Sequence, residues 1–381
     1  MKISLLLERE DFKKIFEKTL EGFLLDFFKK QYSVSWRNKK YNDSQNDKSQ
    51  IWFCNQLINS IFVDGADKKI FDSIIGEYAS NPLKPWKTPF QKLYLYLLKN
   101  NKISLFLSHH TIHITPPIKN PQSKLIIGGN TKIRILDQKE GLVYVVLKKG
   151  FSRKYLEREC FVRENFPFVN VPKIYKSNHN SFWYCEEYIT GLSPDRIGEK
   201  GGKVLEESIK MIHNLIDSTN KQENYKTYLG LLEDRILFRL KSIKHLSKNL
   251  NKVIINILKI LLKHLEFSDN TNFSLSYCHG DFQQGNIIFD GVKTWVLDWE
   301  YSGFKQPGYD LFVLLLQSRE PKMIGKNFLR FYKGDINERE KLLLQQWPKV
   351  KWSNGRENFH LILFLLEELD LHIEENSNVL F

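Results

Sequence analysis

Large apolar residues recur at Phe12, Ile15, Phe16, Leu20, Phe23, Leu24 and Phe27, a spacing that predicts one amphipathic helix over residues 8–30. The polar run 41–50, YNDSQNDKSQ, reads as a loop. Apolar stretches at 51–62 and 89–98 predict two further helices, while 103–108 alternates as a strand does and runs into His109, His110 and His113. His109 and His113 would share a strand face; with no acidic partner near in sequence, they read as packing or surface residues and not as metal ligands. Pro116-Pro117 and Asn120-Pro121 mark a linker. Residues 1–120 are therefore expected to form an N-terminal, mainly helical extension whose role its residues do not select.

Beyond the linker the period changes. Strands are expected at 124–127 and 131–137 around Gly128-Gly129-Asn130, then at 143–147, 171–175 and 182–189, with a helix at 153–165 between the third and fourth. Helices follow at 204–217, 228–246 and 253–265. A strand at 273–277 leads into a hairpin, IIF and TWVL, turned at Asp290-Gly291. A helix opens at Tyr309-Asp310-Leu311, and residues 320–381 are helical with interruptions, ending at 364–376. The pattern is α+β: a small antiparallel-sheet lobe followed by a large, mostly helical one, divided at 121–190 and 191–381.

With 42% hydrophobic and 13% aromatic residues, a chain of 381 residues can build well-packed cores. No transmembrane segment is expected, because the Leu311-Phe-Val-Leu-Leu-Leu316 run is far too short to span a bilayer. The opening apolar residues meet Glu8-Arg9-Glu10-Asp11 at once, which is too soon for a signal peptide, so a cytoplasmic location is expected. Cys54, Cys160, Cys185 and Cys278 show no C-x-x-C spacing and read as core thiols. The net charge of +13 is spread over many lysines. Residues 235–264 concentrate it on two amphipathic helices with basic outer faces: a solvated face, or a guide toward an anionic acceptor or peripheral contact with anionic surfaces. No reader motif for nucleic acid appears.

Candidate chemistry sits in HGDFQQGNIIFDGVKTWVLDWE, residues 279–300. Transfer of phosphate to a hydroxyl needs a carboxylate to orient the attacking O–H. It also needs hard oxygen ligands for the Mg²⁺ that neutralises the phosphates. Asp281 fits the first role, with His279 beside it, while Asn286 and Asp298 fit the second. This is the protein-kinase order H-x-D-x-x-x-x-N and then Asp, with Trp299-Glu300 in place of Phe-Gly. A plain hairpin with polar turns would leave HGD and QGN unexplained.

HGDFQQGN…VLDWEYSGFKQPGYDLF resembles the aminoglycoside phosphotransferase and choline kinase superfamily of small-molecule kinases over roughly residues 121–320. DWEYSG leans toward its choline and thiamine kinase branch. The resemblance implies a two-lobed protein-kinase-like fold binding ATP and Mg²⁺ between the lobes. Lys148, ending V-V-L-K, would contact the nucleotide phosphates; its neighbour Lys149 faces the other way on a strand. Glu159 would pair with Lys148, with Glu157 as the alternative. Gly128 and Gly129 would turn over the phosphates in a nucleotide-covering loop, and backbone groups from Glu187 to Ile189 would meet adenine. Asp310 would brace the catalytic loop, and His213 would be structural.

The expected function is an ATP-dependent phosphotransferase acting on a hydroxyl of a small molecule, an amino alcohol or a sugar or glycan. Two alternatives remain: a catalytically silent kinase-like scaffold and an aminoglycoside-type antibiotic kinase. The latter would need an acidic pocket. Only Glu367, Glu368, Asp370, Glu374 and Glu375 could supply one, and they read as the solvated face of the last helix. Oligomeric state and the choice of ATP over GTP are open at this level.

Overall fold

The computed structural model describes residues 3–38, 49–71, 85–178, 180–243, 246–265, 272–350 and 357–377. All but the last two residues of the loop expected at 41–50 lie outside them.

Two helices, α1 (Ile3–Arg9) and α2 (Phe12–Phe28), open the chain. Four strands of the extension follow: β1 (Ser33–Asn38), β2 (Gln50–Asn55), β3 (Ser60–Val63) and β4 (His110–Thr115). Between β3 and β4 lie α3 (Thr88–Leu98) and α4 (Asn101–Leu107). The next strands are β5 (Lys124–Gly128), β6 (Lys132–Asp137) and β7 (Leu142–Leu147). Then come α5 (Lys154–Asn165), β8 (Ile174–Asn178) and β9 (Trp183–Glu187).

These nine strands form one sheet in the order β1-β4-β2-β3-β5-β6-β7-β9-β8. The sheet crosses the expected boundary without a break, since β3 pairs with β5 through Ile61↔Ile126 and Phe62↔Leu125. The extension thus continues the small lobe's sheet and adds strands that its helical pattern concealed.

Two expectations change here. Residues 51–62 make the β2–β3 hairpin and not a helix, with Trp52, Phe53, Cys54, Ile61 and Phe62 all buried. A strand buried on both faces loses its alternation and cannot be told from a helix by period. Residues 103–107 are helical in α4, and the strand starts only at His110. The side chain of Ser104 bonds Leu98 O, and that of Ser108 bonds Ser104 O, so local side-chain bonds satisfy this short turn.

The pleat sends alternate residues to opposite faces. One face carries Ile126, Ile133, Ile135 and Val146 into a core with Leu6, Phe12, Phe16 and Phe23 of α1 and α2. The other carries Leu125, Leu136, Val145 and Leu147 against Tyr155, Leu156 and Cys160 of α5. Each large apolar side chain buried this way contributes about 1.5–3 kcal/mol. The four cysteines are free and buried.

The large lobe is built on α6 (Gly201–Thr219), α7 (Tyr225–Ser242), α8 (Lys248–Leu265) and the strand β11 (Asn272–Cys278), which also pairs with β10 (Lys221–Asn224). The expected hairpin is β12 (Ile287–Phe289) with β13 (Thr294–Val296). β14 (Gly303–Lys305) then returns to pair with β11. Helices α9 (Tyr309–Leu316), α10 (Pro321–Tyr332), α11 (Glu338–Gln346) and α12 (Glu357–Ser377) complete the lobe. The outer face of α8 is not purely basic, since Leu250, Val253, Ile257 and Ile260 are exposed among its lysines. His213 packs edge-on to Trp347 at 4.6 Å between ring centroids, which suits a structural residue.

Candidate active site

β11 delivers the His279-Gly280-Asp281 turn to the lobe interface. Gly280 has φ 85, and a Cβ there would sit 2.1 Å from Tyr301 O, so only glycine fits. The turn is held from below by Asp310 in the first turn of α9. Its Oδ2 accepts the His279 N–H at 2.7 Å and its Oδ1 accepts the Gly280 N–H at 2.9 Å. His279 is fully buried. Its Nε2 donates to Leu297 O at 2.8 Å, and its Nδ1 accepts from the Asp281 N–H at 3.1 Å. Those two bonds define a neutral imidazole protonated on Nε2. Packed 4.3 Å from Trp299 between ring centroids, it positions the loop.

The same Leu297 backbone ties the two motifs together, because its N–H donates to Asn286 O at 2.8 Å. Asp281 and Asp298 are thereby anchored to one short backbone junction. Asp281 is 8% exposed. Its Oδ2 accepts from Asn286 Nδ2 at 2.8 Å, and Asn286 Nδ2 also reaches Asp281 O at 2.9 Å. The amide oxygen of Asn286 is therefore the end turned from that pair. Arg319, just beyond α9, donates from Nε to Asp281 Oδ1 at 2.6 Å and from Nη2 to Gly280 O at 2.7 Å. Nothing in the local sequence marks Arg319 for this position.

Asp298 adopts φ 67, which aims its carboxylate at the small lobe. There it meets Lys132 Nζ at 2.8 Å and Arg134 Nη2 at 2.9 Å. Burial alone would raise the Asp298 carboxyl, but Arg134 and Lys132 outweigh it and hold it far below the usual carboxylate range. Lys132 also pairs with Glu159 of α5 and lies 3.3 Å from Glu300. Glu159 is fixed further by Arg163 Nη1 at 2.9 Å and Tyr184 Oη at 2.9 Å. Burial and the nearby Asp298 charge push the Glu300 carboxyl up despite Lys132, and its side chain accepts from Thr131.

Glu159 pairs with Lys132 and not with Lys148. β6 and β7 pair Lys132 with Leu147, so Lys132 faces the cleft and Lys148 faces away. Lys148 is 1% exposed, pairs with Glu10 at the α1–α2 turn, and stands 4.4 Å from the Phe151 ring centroid. Burial brings its ammonium down to about 8 against the pull of Glu10. Glu157 is exposed and takes no part.

Gly128 packs on Leu6 and Phe12, while a Cβ on Gly129 would be 2.8 Å from Lys132 O and 3.7 Å from Arg134 Nη1. Gly129 is therefore the loop glycine nearest the cations. Along the hinge the Glu187 N–H is taken by Lys173 O and the Tyr188 N–H by Gly141 O, and half-buried Ile189 follows.

The acids of α12 are not a solvated face. Glu367, Glu368, Asp370 and Glu374 are buried. Glu367 accepts from Tyr228 at 2.5 Å, Glu368 from Tyr309 and Arg319, and Asp370 from Arg239 at 2.5 Å. Glu374 accepts from Arg158 at 3.1 Å. Partners from distant helices turn this row inward.

Among the described residues no group of three or more His, Cys, Asp and Glu gathers as a metal site. Asn286 and Asp298 offer two hard oxygens, which fits Mg²⁺ completed by phosphate and water but not a closed protein cage.

Residues 162–344 match the phosphotransferase enzyme family (APH). That segment contains HGD, Asn286 and DWE, so the superfamily named from those motifs is the one matched. The protein LicA of Haemophilus influenzae is 26% identical over 108 residues, 24% of this chain and 32% of that protein; the chain thus matches about a third of that relative's length. Among solved structures, the choline kinase LicA of Streptococcus pneumoniae aligns with TM-score 0.44 and 14% identity, covering 69% of this chain and 84% of that one. The aminoglycoside phosphotransferase APH(4)-Ia aligns with TM-score 0.43 and 11% identity, covering 67% and 91%.

Proposed function

We propose that the protein is an ATP-dependent phosphotransferase that passes the γ-phosphoryl group to a hydroxyl of a small molecule. The observation that carries this reading is the double anchoring of Leu297, which brings Asp281, Asn286 and Asp298 to one junction under the small lobe. Asp281 orients the acceptor O–H toward the γ-phosphorus and takes up its proton as the new P–O bond forms. The bond from the γ-phosphorus to the β,γ-bridging oxygen breaks, and ADP leaves. Mg²⁺ on Asn286 and Asp298 would supply neutralisation of phosphate charge. Positioning and electrostatics do most of the work in such transfers.

The acceptor class is an amino alcohol or a sugar or glycan. A cationic aminoglycoside is disfavoured, because the acids of α12 are spent on internal tyrosines and arginines. The exposed aliphatic residues among the lysines of α8 suit peripheral contact with an anionic surface. No helix among the described residues is long and apolar enough to cross a membrane; an ATP-consuming enzyme fits the cytoplasm.

The deciding experiment is transfer from [γ-³²P]ATP with Mg²⁺ across amino alcohols, monosaccharides and antibiotics. Label on an acceptor that disappears in Asp281→Asn supports the reading. One observation favours a silent scaffold instead: Asp281 is already paired with Arg319, and Asp298 with Lys132 and Arg134. Absence of any thermal shift with millimolar Mg·ATP favours that second reading.

A further inference from the structure

We propose that the nucleotide's polyphosphate is held by Lys132 and Arg134 on β6, beneath the Gly128-Gly129 turn, and that Lys148 has no part in binding it. The proposal rests on the phosphotransferase reading and assigns the cations of that site.

Four observations support it. In the K-I-R-I run of β6, Lys132 and Arg134 share the face toward Asp298 while Ile133 and Ile135 enter the opposite core. Lys132 is 1% exposed and is clamped by Glu159 on one side and Asp298 on the other. Arg134 keeps 29% of its side chain open, and its Nη1 lies 3.7 Å from where a Cβ on Gly129 would stand. Lys148 is closed off on the far face beneath Phe12 and Phe151.

The arrangement couples metal to nucleotide. Both cations pair with Asp298, a carboxylate that a metal would need. Phosphate oxygens accepting from Lys132 and Arg134 would free Asp298, which with Asn286 would then be able to hold a divalent ion. A guanidinium suits this exchange, since its planar fork can trade a carboxylate for a phosphate with similar geometry.

The test is calorimetric titration of the full chain with Mg·ATP and, separately, with Mn²⁺ alone. Arg134→Met is expected to weaken Mg·ATP binding at least tenfold while strengthening binding of Mn²⁺ alone, a change of sign that mere destabilisation would not produce. Lys132→Met is expected to lose Mg·ATP binding. If that variant fails to fold, Arg134→Met decides the matter. The double variant Glu10→Gln/Lys148→Met removes both buried charges together and is expected to bind Mg·ATP with unchanged affinity. Loss of nucleotide binding in the double variant with retention in Arg134→Met overturns the proposal. Wild type that binds no Mg·ATP overturns the phosphotransferase reading, and this proposal with it.

Discussion

Arg319 Nε lies 2.6 Å from Asp281 Oδ1, and its Nη1 reaches Glu368 at 2.5 Å, so one guanidinium links the candidate base to the last helix. Arg319→Met would leave both carboxylates nearly buried without their cation. A loss of about 3–5 kcal/mol is expected, the range for breaking one partner of a buried pair. Denaturant unfolding checks the stability. Kinetics should show kcat falling with the KM for ATP little changed.

Asp281→Asn keeps the shape of the loop but removes the proton acceptor. A fall in kcat of roughly 10²–10⁴ is expected while Mg·ATP affinity survives. Wild-type turnover in this variant would sink the assignment of Asp281.

Asp310 holds two successive N–H groups of the catalytic turn with its two oxygens. Asp310→Asn can replace only one of them and turns a donor toward the other. A loss of about 1–3 kcal/mol is expected from the unsatisfied buried donor, with kcat lowered more than nucleotide affinity. Thermal unfolding and steady-state rates separate the two effects.

Gly280→Ala should be severe, since φ 85 and the 2.1 Å approach to Tyr301 O both forbid a Cβ. The backbone term alone costs roughly 1–2 kcal/mol. Gly285 lies in the same catalytic loop, yet a Cβ there meets nothing within 4 Å. Gly285→Ala should therefore stay within about 0.5 kcal/mol of wild type. Equal stability of the two variants in urea unfolding would contradict the geometry.

Glu367 gives the pH prediction. Burial pushes its carboxyl up to about 7, against Lys305 and the bond from Tyr228, and its Oε2 has no partner among the described residues. The folded state keeps this proton longer than the unfolded one. Its contribution is therefore fully present below pH 4.5 and is lost as pH rises through about 7. Glu367→Gln should remove that slope, changing the stability difference from wild type by up to roughly 3 kcal/mol between about pH 4.5 and 8. Urea unfolding across that interval measures it.

What the sequence made legible was chemistry written in short-range order. HGD, Asn286, the Asp290-Gly291 hairpin and Asp298 lie in one segment whose turns dictate their meeting, and Asp310 follows within the next helix. V-V-L-K misleads because it marks a position along the chain, while the pleat decides which face each residue takes. The alternation of Lys132 and Arg134 with Ile133 and Ile135 was the available signal. Residues 51–62 mislead through an apolar run buried on both sides. The acids of α12 and Arg319 were illegible for another reason: their partners come from helices far away in the chain, and no local pattern records such meetings.

The β3–β5 pairing sets a practical limit on dissecting this molecule. Cutting the chain at the proline-rich linker would strip β5 of its neighbour and uncover Ile126, Ile133 and Val146. The shortened fragment would present a raw hydrogen-bonding edge beside a greasy surface, the combination that drives chains to aggregate. Swapping the first 120 residues between relatives would succeed only where the donor strand preserves the Ile61↔Ile126 register.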